Sequence, residues 1–314
     1  MDALWPSAPW LLRAFAVAWG CVWGSFVNVV IYRVPREMSV VRPGSRCPAC
    51  GARVRAFDNV PVLSWMLLRG RARCCGARIS PRYLFVEVLG GLLALAFFDA
   101  SAVSVSGSSD ATVVHVLAIF LSNFALSMAL VAAAFIDAEH MYLPDAVTIG
   151  GTLFGAATPG LRGMSYHDAF LGAAIGFMGV WLPFIVGYKA IRGRVGMGLG
   201  DAKLVMLAGA WFGWQGALFA LFAGAIQATI AAMVLLLAHG KIEEPESVRK
   251  DREELQRAIA AGDEEAARAL EEDPLATAPA GGLMGARLPF GPFLCVAIVE
   301  WMLAGGWLLK RWFS

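Results

Sequence analysis

The chain has 314 residues, 58% of them hydrophobic and only 16% charged, with a formal net charge of +2 and a mean hydropathy of +0.63. An ordinary globular domain is about 45–50% apolar and about 25% charged, so that class is excluded. The net charge is uninformative, no nucleic-acid partner is expected, and the apolar excess falls in long runs, as a lipid bilayer requires.

Eight runs approach the roughly 20 apolar residues that a span needs. They are 10–31, 83–99, 113–136, 143–161, 168–190, 201–214, 216–238 and 288–309. The sixth is short, and the fourth is rich in Gly and Thr. The expected fold is an all-α polytopic membrane protein with about eight transmembrane helices. Run 10–31 lacks a basic leader and a small-residue cleavage site, so it reads as a retained span. Basic residues set the orientation. Loop 32–82 carries eleven Arg, three basic residues lie at 189–194, and seven more lie at 239–287. Alternation across eight spans puts all three segments on one face, read as cytoplasmic; Lys310 and Arg311 run mildly against it. The chain then divides into a first span (1–31), a cytoplasmic basic and cysteine-containing loop (32–82), a transmembrane core (83–238), a cytoplasmic charged insert with a linker (239–287), and a last span (288–314). Within the insert, 249–272 reads as a solvated helix. Trp5, Trp10, Trp65, Trp211, Trp214, Trp307 and Trp312 read as an interfacial belt.

Cys47, Cys50, Cys74 and Cys75 fall in one polar loop; Cys21 and Cys295 lie in apolar runs and read as packing residues. A secreted disulfide scaffold would be short and soluble, which excludes that reading. Cys47-x-x-Cys50 followed by two more Cys is a zinc pattern. The alternatives are three Cys with another ligand, or free thiols.

Acids at a span edge are costly and are functional suspects. Asp137 ends the third run and Asp201 opens the sixth, on the same expected face. Two carboxylates brought together share a proton, so one can activate water while the other protonates a leaving group. Gly196, Gly198 and Gly200 would let an extended backbone approach Asp201. Each Asp could instead be an ordinary helix-end residue, with Asp201 capping its own helix. Asp145 reads as a helix N-cap after Leu143-Pro144. Glu87 is an acid in an apolar stretch that either faces a site or pairs with an Arg such as Arg82. His140 would share the Asp137 face only if the helix continued; an exposed loop histidine is the alternative.

The string GMGLGDAKL (196–204), including Lys203, resembles the signature of GxGD aspartyl peptidases. Together with GSFVNVVIYRVP (24–35), CPAC (47–50), ISPRY (79–83) with Glu87, the Ile136–Asp145 stretch and PFGP (289–292), it makes the chain similar to bacterial type IV prepilin peptidases, also called leader peptidase/N-methyltransferases. The resemblance implies Asp137 and Asp201 as the catalytic pair. It implies prepilins or type II secretion pseudopilins as substrates, cut at the cytoplasmic face of the inner membrane. It further implies methylation of the new N-terminus with S-adenosylmethionine near the cysteine loop. The chain departs from the family in one respect: Ala72 stands where the third cysteine of the loop is usual, and Cys74 directly precedes Cys75. A peptidase without methyltransferase activity is the nearest alternative. A transporter is the competing class, because membrane acids and glycine-broken spans also mark ion paths.

Overall fold

The computed structural model describes residues 10–105, 113–193, 196–240, 245–263 and 288–312. Among these, the secondary structure is helical apart from two isolated β-bridges. The main helices are α1 (Trp10–Arg33), the short α2 (Leu63–Leu67), α3 (Pro81–Val105), α4 (Val113–His140) and α5 (Asp145–Ala157). They continue with α6 (Tyr166–Val180), α7 (Tyr188–Arg192), α8 (Leu199–His239), α9 (Glu246–Ala260) and α10 (Gly291–Trp312). Six stretches among the described residues are long and apolar enough to cross a membrane: Trp10–Arg36, Pro81–Ser101, Val113–His140, Tyr166–Arg192, Leu199–His239 and Gly291–Leu309. The chain is a multi-pass membrane protein. Leu237, Trp10 and Val114 expose their apolar side chains, as lipid-facing positions do in a bilayer.

The expected count of about eight spans is not met: among the described residues there are six. Run 143–161 yields only the 13-residue α5, about 20 Å at 1.5 Å per residue, too short for a hydrocarbon core of about 30 Å. Runs 201–214 and 216–238 join as α8, which is broken at Gly213 (φ 71°, ψ −175°). Only glycine adopts that conformation without strain. The span that begins with α6 reaches α7 through wider π-helical turns at Trp181–Gly187. Pro183 lies among them and donates no backbone hydrogen bond.

The chain divides into two compact units, Met1–Ala132 and Ala133–Ser314. In the first, α1 and α3 cross antiparallel with backbones in contact. A Cβ on Gly24 would sit 2.6 Å from the Val86 carbonyl oxygen, and one on Gly90 2.5 Å from that of Gly20. Small residues at such a crossing gain the van der Waals packing that drives helix association in lipid. The register is fixed at both ends, by Arg13 Nε donating to Asp99 at 2.9 Å and Asn28 Nδ2 donating to the Tyr83 carbonyl at 3.1 Å.

In the second unit α8 is the hub. Gly172 and Gly176 of α6 meet the backbone at Gly209 and Val205. Gly151 and Gly155 of α5 accommodate Leu207 and Trp211. Beyond the break, Gly224 faces Leu294 of α10. Trp211 is therefore a core residue, 2% exposed, with Nε1 donating to the Gly151 carbonyl at 2.8 Å. This corrects its assignment to an interfacial belt. The charged insert forms α9, a polar helix whose ion pairs run one turn apart, such as Lys250–Glu246 at 2.7 Å. The helix stops at Ala260, short of the expected 272, with residues 261–262 in a turn; residues 264–272 and the linker lie outside the described residues.

Candidate active site

Four helix ends of the second unit converge: the end of α4 and the beginnings of α5, α8 and α10. Asp137, in the last turn of α4, is 6% exposed. Its Oδ2 accepts the Gly291 backbone N–H at 3.0 Å. That amide is one of the first-turn donors that α10 cannot satisfy internally. Gly291 carries no side chain for a reason, since a Cβ there would lie 2.6 Å from Asp137 Oδ2 and 3.0 Å from Leu143 Cδ2. Asp201 sits in the first turn of α8. Its carboxylate lies beside Gly198 and within electrostatic range of Asp137. Asp137 is thus gripped by a backbone N–H at a helix start. The sequence brings together the two acids it singled out, although the donor amide was not legible in it as such.

The three glycines of the signature have distinct surroundings. Gly196 donates to the Phe184 carbonyl at 2.9 Å and packs against Tyr188. Gly198 is the N-cap of α8, and a Cβ there would lie 3.3 Å from Asp201 Oδ2. Gly200 faces Leu143. Lys203 Nζ donates to Asp145 Oδ1 at 2.6 Å. Asp145 is not an N-cap: Pro144 holds that position, and Asp145 is the first helical residue. There its charge meets the helix dipole and the lysine favourably. α4 continues through His140, which therefore lies one turn beyond Asp137.

In the first unit the four loop cysteines form a cluster, with all their sulfurs within 4.8 Å of one another. Cys47 and Cys75 approach to 3.7 Å, Cys50 and Cys74 to 3.4 Å, and Cys74 and Cys75 to 3.9 Å. A tetrahedral zinc with Zn–S near 2.3 Å places its sulfurs about 3.8 Å apart, so the donor set fits that ion. Two backbone hairpins of one design present them. Cys47 N–H donates to Ala52 O and Gly51 N–H to Cys47 O; Ala72 N–H donates to Ala77 O and Gly76 N–H to Ala72 O, each at 2.8–2.9 Å. Arg46 bridges to Arg53 and Arg71 to Arg78, and Gly51 and Gly76 share φ near +70°. The sequence bears this repeat as RCPACGAR (46–53) and RARCCGAR (71–78). The Cys47 thiol is drawn down to about 7, chiefly by the Cys50 backbone N–H. Cys74 is pushed up to about 12, chiefly by the neighbouring Cys50 thiol.

Residues 18–100 match the model of the bacterial peptidase A24 N-terminal domain, and residues 124–233 that of the type IV leader peptidase family. The prepilin leader peptidase/N-methyltransferase of Neisseria gonorrhoeae is 33% identical over 257 residues, which make up 72% of this chain and 83% of that relative. The chain belongs to the type IV leader peptidase family. A further relative in that family, the prepilin leader peptidase/N-methyltransferase of Myxococcus xanthus, is 39% identical over 232 residues. The match covers 74% of this chain but only 65% of the relative, just under two thirds of its length. The Pseudomonas putida protein of the same name is 29% identical over 326 residues, 95% of this chain and 89% of that one. No solved structure matches the chain.

Proposed function

We propose that this protein cleaves the leader peptides of type IV prepilins or type II secretion pseudopilins at the cytoplasmic face of a bacterial inner membrane, and N-methylates the new N-terminus. The reading rests above all on one observation: Asp137 and Asp201, 64 positions apart, come within electrostatic range of each other at the start of α8, with Asp137 held by the Gly291 amide. A carboxylate with one oxygen occupied by an N–H keeps the other for water. One Asp takes a proton from that water, which attacks the scissile carbonyl; the other delivers a proton to the leaving nitrogen. No acyl-enzyme forms. The signature glycines Gly196, Gly198 and Gly200 keep bulk away from the acids, and Lys203 ties α8 to α5 through Asp145.

Cys47, Cys50, Cys74 and Cys75 would hold zinc, fastening two hairpins too polar to pack on their own. S-adenosylmethionine, the methyl donor that an N-methyltransferase of this family implies, supplies an activated methyl group to the amine released by cleavage. Partners are the substrate pilins and the bilayer.

The test is processing of a purified prepilin by Asp137→Asn and Asp201→Asn proteins in detergent. Each single variant should lower the cleavage rate by 10³-fold or more, consistent with loss of acid–base catalysis together with positioning. A well-folded double variant that still cleaves would end the two-aspartate assignment.

A further inference from the structure

Leu143 lies in the turn between α4 and α5, six residues after Asp137. Its side chain, 9% exposed, stands between two glycines, each of which adjoins one of the two acids. A Cβ on Gly200, the residue before Asp201, would lie 3.3 Å from Leu143 Cβ and 3.4 Å from Cδ1. A Cβ on Gly291, whose amide holds Asp137, would lie 3.0 Å from Leu143 Cδ2. The isobutyl fork thus sets one methyl toward the start of α8 and the other toward the start of α10.

The turn is built so that this fork is held in place. Met141 closes α4 with its N–H on the Asp137 carbonyl at 2.9 Å. It holds φ +55°, a left-handed conformation that most side chains disfavour. Pro144 follows Leu143, and a residue before proline is pushed toward extended backbone. Pro144 is also the N-cap of α5, and the next residue, Asp145, accepts from Lys203 of α8 at 2.6 Å. The backbone of Leu143 is therefore anchored to α4 on one side and, through α5, to α8 on the other.

A close-packed interior feels a change of one methylene. Two carboxylates that share a proton must lie close, yet leave room for water and the scissile amide. We propose that Leu143 is a positioning residue for amide hydrolysis. It is a two-pronged spacer that fixes the start of α8, with Asp201, against the start of α10, whose amide grips Asp137, and so sets the gap between the carboxylates. The proposal rests on the two-aspartate reading above and deepens it by naming what holds the pair at working distance. A leucine that only filled the core would tolerate exchange for a side chain of equal volume. A spacer does not, because isoleucine branches at Cβ and sends only one arm as far as a leucine Cδ.

The test is kcat and KM for cleavage of a purified prepilin in detergent by full-length variants, with thermal melting to report folding. Leu143→Ile should melt within a few degrees of the parent, keep KM within about twofold and lose at least about tenfold in kcat. Leu143→Ala should lose about 10²-fold in kcat, the scale expected when a reacting group shifts by about 1 Å. Gly200→Ala, which pushes on the fork from the other side, should also lower kcat at constant KM. Leu207→Ala is the control. Leu207 is fully buried on the helix that carries Asp201 and packs on Gly151 of α5, so its truncation should lower the melting temperature and leave kcat within about twofold. Leu143→Ile carries the decision if Leu143→Ala does not fold. A folded Leu143→Ile protein with parental kcat would overturn the assignment. So would a loss carried by KM alone, which makes Leu143 a substrate contact, or an equal loss of kcat in Leu207→Ala, which makes the effect one of general core damage. Asp137→Asn and Asp201→Asn proteins are run alongside. If they cleave like the parent, the two-aspartate reading itself fails; if they are inactive, a parental rate in the Leu143 variants sinks the spacer alone.

Discussion

Asp137 is held from a direction that its own helix cannot supply. Its partner amide, on Gly291, lies 154 positions further along the chain, in the PFGP string that opens α10. A methyl group there would intrude to 2.6 Å from the carboxylate oxygen and 3.0 Å from Leu143. Leu143 also packs against Gly200, so it has little room to yield. Gly291→Ala should therefore displace the Asp137 carboxylate without removing it. Misplacing a catalytic group by about 1 Å can cost on the order of 10²-fold in rate. Prepilin processing by Gly291→Ala should fall by about that factor, while the protein melts within a few degrees of the parent. A folded variant cleaving at the parental rate would show that this grip is dispensable. The acids themselves were legible in the sequence, because ionised groups at span edges are conspicuous among apolar residues. Gly291 was not, since a glycine's value lies in what stands opposite it.

At the scale of elements, what hydropathy can and cannot report is visible in the spans. It located α1, α3, α4 and α10, because a helix of about 20 apolar residues is what lipid demands. It miscounted at α5 and α8. Residues 143–161 are apolar throughout, yet the helix stops at Ala157 before Pro159. Only the backbone at Gly213 tells that two runs form one broken element. Composition likewise put Trp65 in an interfacial belt, whereas it lines a cavity of the first unit. The cysteine hairpins teach the opposite lesson. Their pattern was visible, and the departure at Ala72 cast doubt on a fourth ligand. Yet Cys74, at the hairpin position matched by Ala49, still brings its sulfur to 3.4 Å from that of Cys50. The prediction is one zinc per chain in the purified protein, lost largely in Cys74→Ala. It should be recovered in Ala72→Cys/Cys74→Ala, where the ligand moves to the position equivalent to Cys47. Metal content after dialysis against a chelator measures all three. A Cys74→Ala protein retaining its metal like the parent would remove Cys74 from the ligand set.

At the scale of the molecule, the two proposed chemistries draw on separate residues. Asp137, Leu143, Asp201 and Gly291 all belong to the unit Ala133–Ser314, and the cysteine cluster, beside which the family resemblance puts methyl transfer, belongs to Met1–Ala132. No side chain assigned to amide hydrolysis lies in the unit of the cysteine cluster. The order of events imposes the only dependence, since the amine to be methylated does not exist until the leader is cut. Presenting a pilin already freed of its leader bypasses that dependence. An Asp137→Asn/Asp201→Asn protein, inactive on the precursor, should methylate the processed pilin at a rate within about twofold of the parent, read as a gain of one methyl by mass spectrometry. Amide-for-acid exchange changes charge and not volume, so the fold should survive it. If the double variant binds S-adenosylhomocysteine normally yet fails to methylate processed pilin, the aspartates take part in both reactions, and the division of labour between the units is wrong.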